Sequence, residues 1–287
     1  MEQTNKAGTL YLCATPIGNL SDVTQRVLET LRSVDIIAAE DTRNSIKLLN
    51  HFGIKVPLTS YHEYNKYDKA NELIDKLQEG KNVALITDAG TPAISDPGEI
   101  LTDMCLKAGI RVASLPGPCA LITALSMSGI SARRFVFEGF LPSDKKERRR
   151  VLDDLVDETR TIILYEAPHH LRSTLSELYD RLGNRGMALC RELTKKFEET
   201  IRMPLADMLK YYDEHEPKGE YVLVLEGKDR ELIEEAAADK WRDTDINEHM
   251  AIYESQGYDR KEAMKMVASD RKMTKREIYS QLLKEAE

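Results

Sequence analysis

The residues best suited to chemistry follow short apolar segments of the chain. Glu40 and Asp41 come directly after one such segment, where a carboxylate could take a proton from a substrate hydroxyl. Arg43, or Lys195 in the second half, could lower the pKa of that hydroxyl or hold a phosphate. Alternatively, Glu40 and Asp41 cap the helix that follows, because aspartate at a helix start is commonly a cap. Both interpretations of the acidic pair stay open from sequence.

A second candidate is the loop of residues 88–98, which follows another apolar segment. It holds two glycines, two prolines and two aspartates within eleven residues. Glycine permits torsions that other residues avoid and proline stiffens the chain, so the loop suits close approach of its backbone to a ligand. It could instead be a tight connection in which Ser95 or Asp96 caps the next helix and Pro97 begins it.

Alternating strands and helices must position these segments in the first half. The predicted strands span residues 9–14, 34–39, 83–87 and 111–115. The predicted helices span residues 21–32 with Ser21 as the cap, 44–52, 67–79 and 99–108. This alternation predicts a mostly parallel sheet covered by helices. Since such sheets bind ligands at the carboxyl ends of their strands, the loops at residues 15–19, 40–43, 88–98 and 116–120 are expected to meet there.

In the second half, the predicted strands and helices are spaced differently. Strands are predicted at residues 135–138, 161–165, 187–190 and 221–225, with helices at 145–157, 169–182 and 205–215. No strand is predicted after Gly227, where three helices are expected at 245–255, 259–269 and 274–283. Thr274 and Glu277 form a capping-box pattern for the last one. The predicted fold is α/β, with α/β domains at 1–116 and 117–228 and a helical domain at 229–287.

Composition excludes several protein classes. Hydrophobic residues make up 41% and charged residues 31%, with a net charge of −8, which excludes a surface that is basic all round. The four cysteines form no C-x-x-C pair, so no zinc or other metal site is predicted. The cysteines are expected to be reduced thiols, which indicates a protein of the cytoplasm. The polar start and the lack of an apolar run of about 20 residues predict neither export nor membrane insertion.

Common nucleotide and hydrolase motifs are missing from the sequence. There is no G-x-G-x-x-G after the first strand, no Walker A pattern, no G-x-S-x-G and no H-E-x-x-H. His169 and His170 are adjacent, so they cannot share a helix face as metal ligands. Binding of a dinucleotide and hydrolysis of ATP therefore lack support.

Several motifs, in this order, resemble those of the tetrapyrrole methylase superfamily. They are residues 12–20 (LCATPIGNL), 40–43 (EDTR), 88–98 (DAGTPAISDPG), 116–118 (PGP) and 165–169 (YEAPH). Residues 191–195 (RELTK) and 217–221 (PKGEY) extend the similarity over essentially the whole chain. Within the superfamily the set looks most like the ribosomal RNA small-subunit methyltransferases I. An ordered set of motifs is far more specific than any one of them.

The resemblance implies a cofactor, a reaction and an assembly. It implies S-adenosylmethionine, folded in the cleft between two α/β domains of a homodimer. It implies 2′-O-methylation of a cytidine in the decoding region of 16S rRNA, free or within the small ribosomal subunit. By motif position, the expected cofactor contacts are Pro16, Asp88, Gly90, Pro92, Ile94, Cys119, Ala120, Ala167, Leu193 and Glu220. Pro16 departs from the glycine that other branches of the superfamily often carry.

An RNA substrate requires basic residues despite the acidic total. The candidate RNA contacts are Arg148, Arg149, Arg150, Lys272, Lys275 and Arg276. A charge run is often only a solvated face. The last three residues, however, flank the turn between two predicted helices, which resembles a helix-turn-helix.

Three other functions compete with this one. A tetrapyrrole (precorrin-type) methyltransferase would have no evident use for the basic helical tail. A non-catalytic ribosome-assembly factor would not need the intact loop at residues 88–98. A nicotinamide oxidoreductase would be expected to carry the missing phosphate-binding fingerprint.

Overall fold

The first half of the chain forms a parallel five-stranded sheet in a computed structural model, which describes residues 7–284. Its strands are β1 (Thr9–Cys13), β2 (Ile36–Ala39), β3 (Leu58–Ser60), β4 (Val83–Ile86) and β5 (Arg111–Leu115). Their order is β3-β2-β4-β1-β5, and every neighbouring pair is parallel. The predicted parallel sheet is confirmed, with the carboxyl ends of β2, β4 and β1 side by side.

Helices cover both faces of this sheet. They are α1 (Gln25–Ser33), α2 (Thr42–His51), α3 (Lys66–Gln78) and α4 (Gly98–Lys107). All four residues of β4 are buried, since Val83 and Leu85 face one apolar core while Ala84 and Ile86 face the other. Side chains alternate between the two faces of a strand, and both faces of β4 are buried. The sequence of β4 is therefore one continuous apolar run.

In this half the predicted start of the first helix was wrong, and one strand was missed. The first helix begins at Gln25, because the Thr24 side chain, not Ser21, accepts a hydrogen bond from the Val27 amide at 3.2 Å. Leu20–Asp22 form a separate 3₁₀ turn. The strand β3 was not predicted, since three residues are too few to show a periodic pattern.

The second half forms a mixed five-stranded sheet. Its strands are β6 (Phe135–Phe140), β7 (Thr161–Glu166), β8 (Gly186–Arg191), β9 (Glu199–Pro204) and β10 (Tyr221–Leu225). The order is β6-β7-β10-β8-β9, in which β6 and β7 are parallel and the other pairs antiparallel. Its helices are α5 (Ala120–Ser128), α6 (Lys145–Asp154), α7 (Leu171–Leu182) and α8 (Leu205–Glu214).

Helix α5 packs between the second sheet and the first-half loop after β1. Leu121 and Leu125 of α5 share one apolar cluster with Val222 of β10 and with Ile17 of that loop. Neither α5 nor β9 was predicted. The mostly apolar helix shows little amphipathic pattern, and the strand is an edge strand whose residues stay partly exposed.

The C-terminal part is helical, as predicted. The helices are α9 (Arg230–Asp239), α10 (Ile246–Ser255), α11 (Arg260–Asp270) and α12 (Lys275–Lys284), of which α9 was not predicted. The last three enclose a small core of their own. Thr274 and Glu277 exchange hydrogen bonds of 2.7 and 3.3 Å, which confirms the capping box. The domain limits at 116 and 228 fall between these parts and stay a prediction.

No helix in the described part of the chain is long and apolar enough to cross a membrane.

Candidate active site between the two sheets

The loops after β1 and β4 are joined to each other by their backbones. The Thr15 amide donates to the Gly90 carbonyl at 2.9 Å, and the Gly90 amide donates back at 3.1 Å. The Thr15 hydroxyl donates to the Thr87 carbonyl at 3.1 Å. These bonds hold two of the predicted ligand-binding loops in one rigid unit at the carboxyl edge of the sheet.

The loop at residues 88–98 contains unusual backbone torsions. Gly90, Ala93 and Ser95 have φ angles of +85°, +66° and +65°. A residue other than glycine costs about 1–3 kcal/mol in this region, and such strain concentrates at functional sites. Asp96 holds the loop by accepting from the Ile94 amide at 3.1 Å and the Gly98 amide at 2.8 Å. Asp96 therefore also binds the first amide of α4, although the helix begins at Gly98 and not at Pro97 as the capping interpretation predicted.

The second half approaches the same loops closely. Gly139 lies at a bulge of β6, where an added Cβ would stand 2.8 Å from the Ser95 Oγ. A Cβ at Gly18 would stand 2.4 Å from the Lys195 Cγ. The chain therefore carries glycine where the two halves meet and where a side chain would push them apart.

A cavity of about 460 Å³ lies where these loops face the second sheet. The first half contributes Ile17, Glu40, Thr87, Ala89, Gly90, Thr91, Ile94, Ser95 and Asp96. The remainder of the chain contributes Cys119, Ala120, Phe140, Tyr165, Glu166, Ala167, Pro168, Leu193, Glu220, Tyr221 and Val222. Its volume falls in the range of about 300–1,000 Å³ that is usual for cofactor and small-molecule sites.

Carboxylates dominate the polar lining. Burial raises the pKa of Glu40, and the nearby carboxylates of Asp88 and Asp96 raise it further. Burial also raises the pKa of Asp96, although backbone amides at Gly98, Ala93 and Ile94 oppose the shift. A carboxylate whose proton affinity is raised in this way is a better proton acceptor than one in water.

Glu166, at the end of β7, is fixed by a chain of polar contacts. Its carboxylate accepts from the Ala167 amide at 2.7 Å and is hydrogen-bonded to the Thr174 hydroxyl. Arg148 donates to that hydroxyl at 2.8 Å and pairs with Glu177 at 2.6 Å. Helix α6 is thereby coupled to the wall of the cavity through α7.

Lys195 bridges two acidic residues at the rim. Its ammonium lies 2.8 Å from Glu192 and 2.9 Å from Glu220. Burial alone would lower the pKa of Lys195, but these hydrogen bonds raise it above its usual value. Lys195 is therefore a fixed cation that positions Glu220.

The predicted cofactor contacts divide into two groups. The lining includes Gly90, Ile94, Cys119, Ala120, Ala167, Leu193 and Glu220. Pro16, Asp88 and Pro92 are outside it, although a chain neighbour of each belongs to it. Asp88 instead accepts from the Asp41 amide at 3.3 Å and from the Asn44 side chain at 3.2 Å, which ties the loop to α2.

The predicted catalytic residues do not all lie in the cavity. Only Glu40 lines the cavity. Asp41 caps α2 by accepting from the Arg43 amide at 2.8 Å, and its carboxylate pairs with the Arg43 guanidinium at 2.9 Å. Because the Arg43 side chain is 87% exposed, this pair lies toward solvent. The capping interpretation describes Asp41, whereas Glu40 faces the cavity.

Sequence reasoning did not single out two aromatic residues of the cavity. The Tyr165 hydroxyl accepts a hydrogen bond from the Leu121 amide at 3.2 Å, and burial raises the pKa of Tyr165 to about 12. Phe140 packs edge-on against Tyr165 and stays 57% exposed. Tyr165 belongs to a recognised motif and could have been named. Phe140 carried no signal, because β6 was predicted to end at residue 138.

The predicted RNA contacts occupy two surfaces. Arg148 is turned inward, as described above, so its charge is already paired. Arg149 is 70% exposed with Asp153 at 3.7 Å, and Arg150 is exposed. Lys272 reaches α9, where it contacts the Glu231 carbonyl at 3.2 Å and Glu234 at 3.3 Å. Lys275 and Arg276 are exposed on the first turn of α12.

Residues 9–209 match the family described as Tetrapyrrole (Corrin/Porphyrin) Methylases. The chain belongs to this family. Within it, this methylase is 47% identical over 279 residues to "Ribosomal RNA small subunit methyltransferase I" of Halalkalibacterium halodurans, which covers 97% of this chain and 96% of that one. It is 46% identical to the Bacillus subtilis protein of the same name, over 95% of this chain and 93% of that one. These identities place the methylase in the methyltransferase I group.

Solved structures share the fold. A diphthine synthase aligns with a TM-score of 0.59 at 14% identity, covering 77% of this chain and 90% of the other. A uroporphyrin-III-C-methyltransferase from Thermus thermophilus aligns with a TM-score of 0.55 at 20% identity, covering 76% and 94%. At these identities the likeness concerns the fold alone.

Members of this family use S-adenosylmethionine as the methyl donor. The cavity suits that molecule, which carries a positive sulfonium, a flat adenine and a ribose with two hydroxyls. Glu40, Asp96 and Glu220 supply negative charge and hydrogen-bond acceptors, while Ile17 and Leu193 supply apolar surface. The lining of the cavity therefore matches the cofactor in charge and in polarity.

Proposed function

We propose that this methylase transfers a methyl group from S-adenosylmethionine to the 2′-hydroxyl of a cytidine in the decoding region of 16S rRNA, in the cytoplasm. The sequence identity to proteins named for ribosomal RNA, over nearly the full length of both chains, supports the RNA substrate. The observation that carries the reaction is the cavity itself, in which Glu40 faces the space enclosed by both sheets. A homodimer is part of the proposal and would be tested by its mass in solution.

The chain's residues account for the steps that the donor does not supply. Bound S-adenosylmethionine provides an electrophilic methyl group on a positively charged sulfur. Glu40 accepts the proton of the ribose hydroxyl as the new C–O bond forms and the C–S bond breaks. The rigid loops hold the reactants in line, which can contribute several kcal/mol without a covalent step.

Exposed basic residues on two helices supply the RNA contacts in this proposal. Arg149 and Arg150 lie on α6, which runs from the cleft edge of β6, and Lys275 and Arg276 lie on α12. Arginine and lysine bind phosphate oxygens and make affinity fall with salt concentration. Arg148 is not part of this set, since it braces Glu166 instead.

Two measurements test the proposed function. Titration of the purified protein should show saturable binding of S-adenosylmethionine and none of NAD. Incubation with small ribosomal subunits from cells lacking the gene should restore one 2′-O-methylcytidine, detected by mass spectrometry of the nucleosides. Methylation of a tetrapyrrole with an unchanged rRNA profile would contradict the proposal, and RNA binding without methyl transfer would identify an assembly factor.

A further inference from the structure

Four arginines line a second cavity, separate from the cleft between the sheets. Its volume is about 380 Å³, and the arginines are Arg133, Arg134, Arg160 and Arg230. The hydroxyl-bearing residues Ser131 and Thr159 also line it. Neither the sequence motifs nor the proposed reaction uses any of these residues.

This arginine cavity lies at the opposite end of the second sheet from the proposed active site. Thr161, the first residue of β7, lines the arginine cavity, while Glu166, the last, lines the cleft. Five residue steps along a strand separate them by about 16 Å. Arg230 begins α9, so the cavity also adjoins the start of the C-terminal helices.

The cavity carries excess positive charge. Glu158 pairs with the Arg160 guanidinium at 2.6 Å, and Glu138 acts on it from further away. Among residues 7–284, by contrast, no carboxylate lies within 4 Å of the guanidinium of Arg133, Arg134 or Arg230. Three exposed arginines therefore line one concave space, and within the described part of the chain their guanidinium groups have no hydrogen-bond or ion-pair partner.

Backbone contacts hold the three segments that form this cavity. The Thr161 amide donates to the Arg134 carbonyl at 3.2 Å, and the Lys228 amide donates to the Glu158 carbonyl at 2.6 Å. A Cβ at Gly227 would stand 2.2 Å from the Thr159 carbonyl carbon, so the turn before α9 packs directly on the start of β7. The arginines consequently project from a framework that is already organised without a ligand.

A fifth arginine braces the segment that leads to Arg160. Arg185 is 8% exposed and donates to the carbonyls of Val156 at 2.6 Å and Glu158 at 3.2 Å. It also donates to the Leu182 carbonyl at 3.2 Å. No carboxylate of the described residues lies within 4 Å of its guanidinium, and those of Asp157 and Glu158 act on it from further away. Its hydrogen bonds therefore hold the segment that leads to Arg160 in place.

Clustered guanidinium groups and neighbouring hydroxyls donate hydrogen bonds to phosphate oxygens. We propose that the arginine cavity binds phosphodiester groups of the RNA strand whose nucleotide enters the cleft, an inference that rests on the proposed function. Because the strand ends that line the two cavities are about 16 Å apart, one RNA strand of several nucleotides can reach both sites. The cavity would fix the register of the RNA without touching the reacting atoms.

The test compares the wild-type protein with an Arg133→Gln/Arg134→Gln/Arg230→Gln variant. The probe is a 16S rRNA fragment that contains the decoding region, and its dissociation constant is measured across salt concentrations. We expect binding about tenfold weaker and a salt slope smaller by about two to three, since each lost phosphate contact contributes about 0.7–0.9. Because a remote contact contributes equally before and during reaction, KM for the RNA should rise while kcat stays unchanged.

A matched control removes charge elsewhere. Arg26→Gln/Arg111→Gln takes two exposed arginines from the first half and should leave the salt slope unchanged. Affinity for S-adenosylmethionine should be unchanged in every variant, which shows that the fold is intact. If the triple variant fails this check, Arg230→Gln alone should reduce the slope by about one.

The possible outcomes separate the two proposals. An unchanged salt slope in the folded variant overturns the arginine cavity as an RNA site. Binding of inorganic phosphate at these arginines by NMR, with RNA affinity unaffected, overturns it in favour of a free anion. A wild-type protein that binds the RNA but methylates none refutes the proposed function, while the slope comparison still decides the arginine cavity.

Discussion

Glu40 and Asp41 are neighbours in sequence, yet their surroundings give them different chemistry. Glu40 is half-buried at the end of β2, facing two other carboxylates, whereas Asp41 is turned to α2 and to Arg43. The Arg43 side chain, through its hydrogen bonds, holds the pKa of Asp41 below its usual value. One residue is suited to accept a proton and its neighbour to remain charged as a helix cap.

Glu40→Gln is expected to lower the rate of methyl transfer by about 100-fold or more, because glutamine cannot accept the proton. In the wild-type protein, kcat/KM should fall as pH drops through the raised pKa of Glu40, and this acid limb should be lost in the variant. Asp41→Asn is the matched control, since asparagine also caps helices, and it should keep the limb. An acid limb that persists in Glu40→Gln would assign the base elsewhere.

Glu40→Gln is also expected to affect the pH dependence of stability. The folded protein retains the Glu40 proton to higher pH than the unfolded chain does, because the pKa is raised on folding. Stability contributed by this group is therefore lost as pH rises through the raised pKa. Glu40→Gln should not lower the melting temperature at pH 7, and a large drop would show that the carboxylate has a structural partner.

The loop at residues 88–98 joins β4 to α4 through strained backbone torsions, and a substitution can test that strain. Ala93 has a φ of +66°, which glycine adopts without cost, so Ala93→Gly should maintain or increase the free energy of unfolding. Ala251→Gly, at an exposed position within α10, should instead lose about 1 kcal/mol. Chemical denaturation of both variants measures the contrast, and equal losses would argue against strain at Ala93.

The coupling of α6 to α7 is tested by comparing adjacent arginines. Arg148→Ala removes an ion pair with Glu177 and a hydrogen bond to Thr174, so a loss of about 1.5–3 kcal/mol in unfolding free energy is expected. Arg149→Ala should change it by less than about 0.5 kcal/mol, because that side chain is exposed. The reverse order of the two losses would contradict the inward role of Arg148.

The whole molecule is acidic, so binding of RNA must depend on local basic surfaces. The net charge is −8, but Lys275 and Arg276 are exposed on α12. Lys275→Glu/Arg276→Glu should weaken RNA binding and reduce its salt slope by about one to two. Lys81→Glu/Lys107→Glu changes the net charge equally, before β4 and at the end of α4, and should leave the slope as it is. Equal effects would mean that only total charge matters.

Much of the molecule followed from local pattern. The parallel first sheet, the strands β7, β8 and β10 and the last three helices could be read from apolar periodicity and from helix caps such as Thr274. The order of the motifs identified the family, and seven of the ten expected cofactor contacts lie in the cavity. These features depend on residues close in the chain, which is why sequence reaches them.

Other features depend on residues far apart in the chain. Sequence alone indicated that residues 40–43 and 88–98 lie at strand ends, but only packing of the two sheets placed Glu40 in a cavity. Only the pairing of β6 with β7 placed Phe140 beside Tyr165. Packing also turned Arg148 inward, away from the run of charge to which it belongs. The arginine cavity joins segments up to about 100 residues apart, and no local pattern encodes such proximity because it arises from the pairing of β6, β7 and β10.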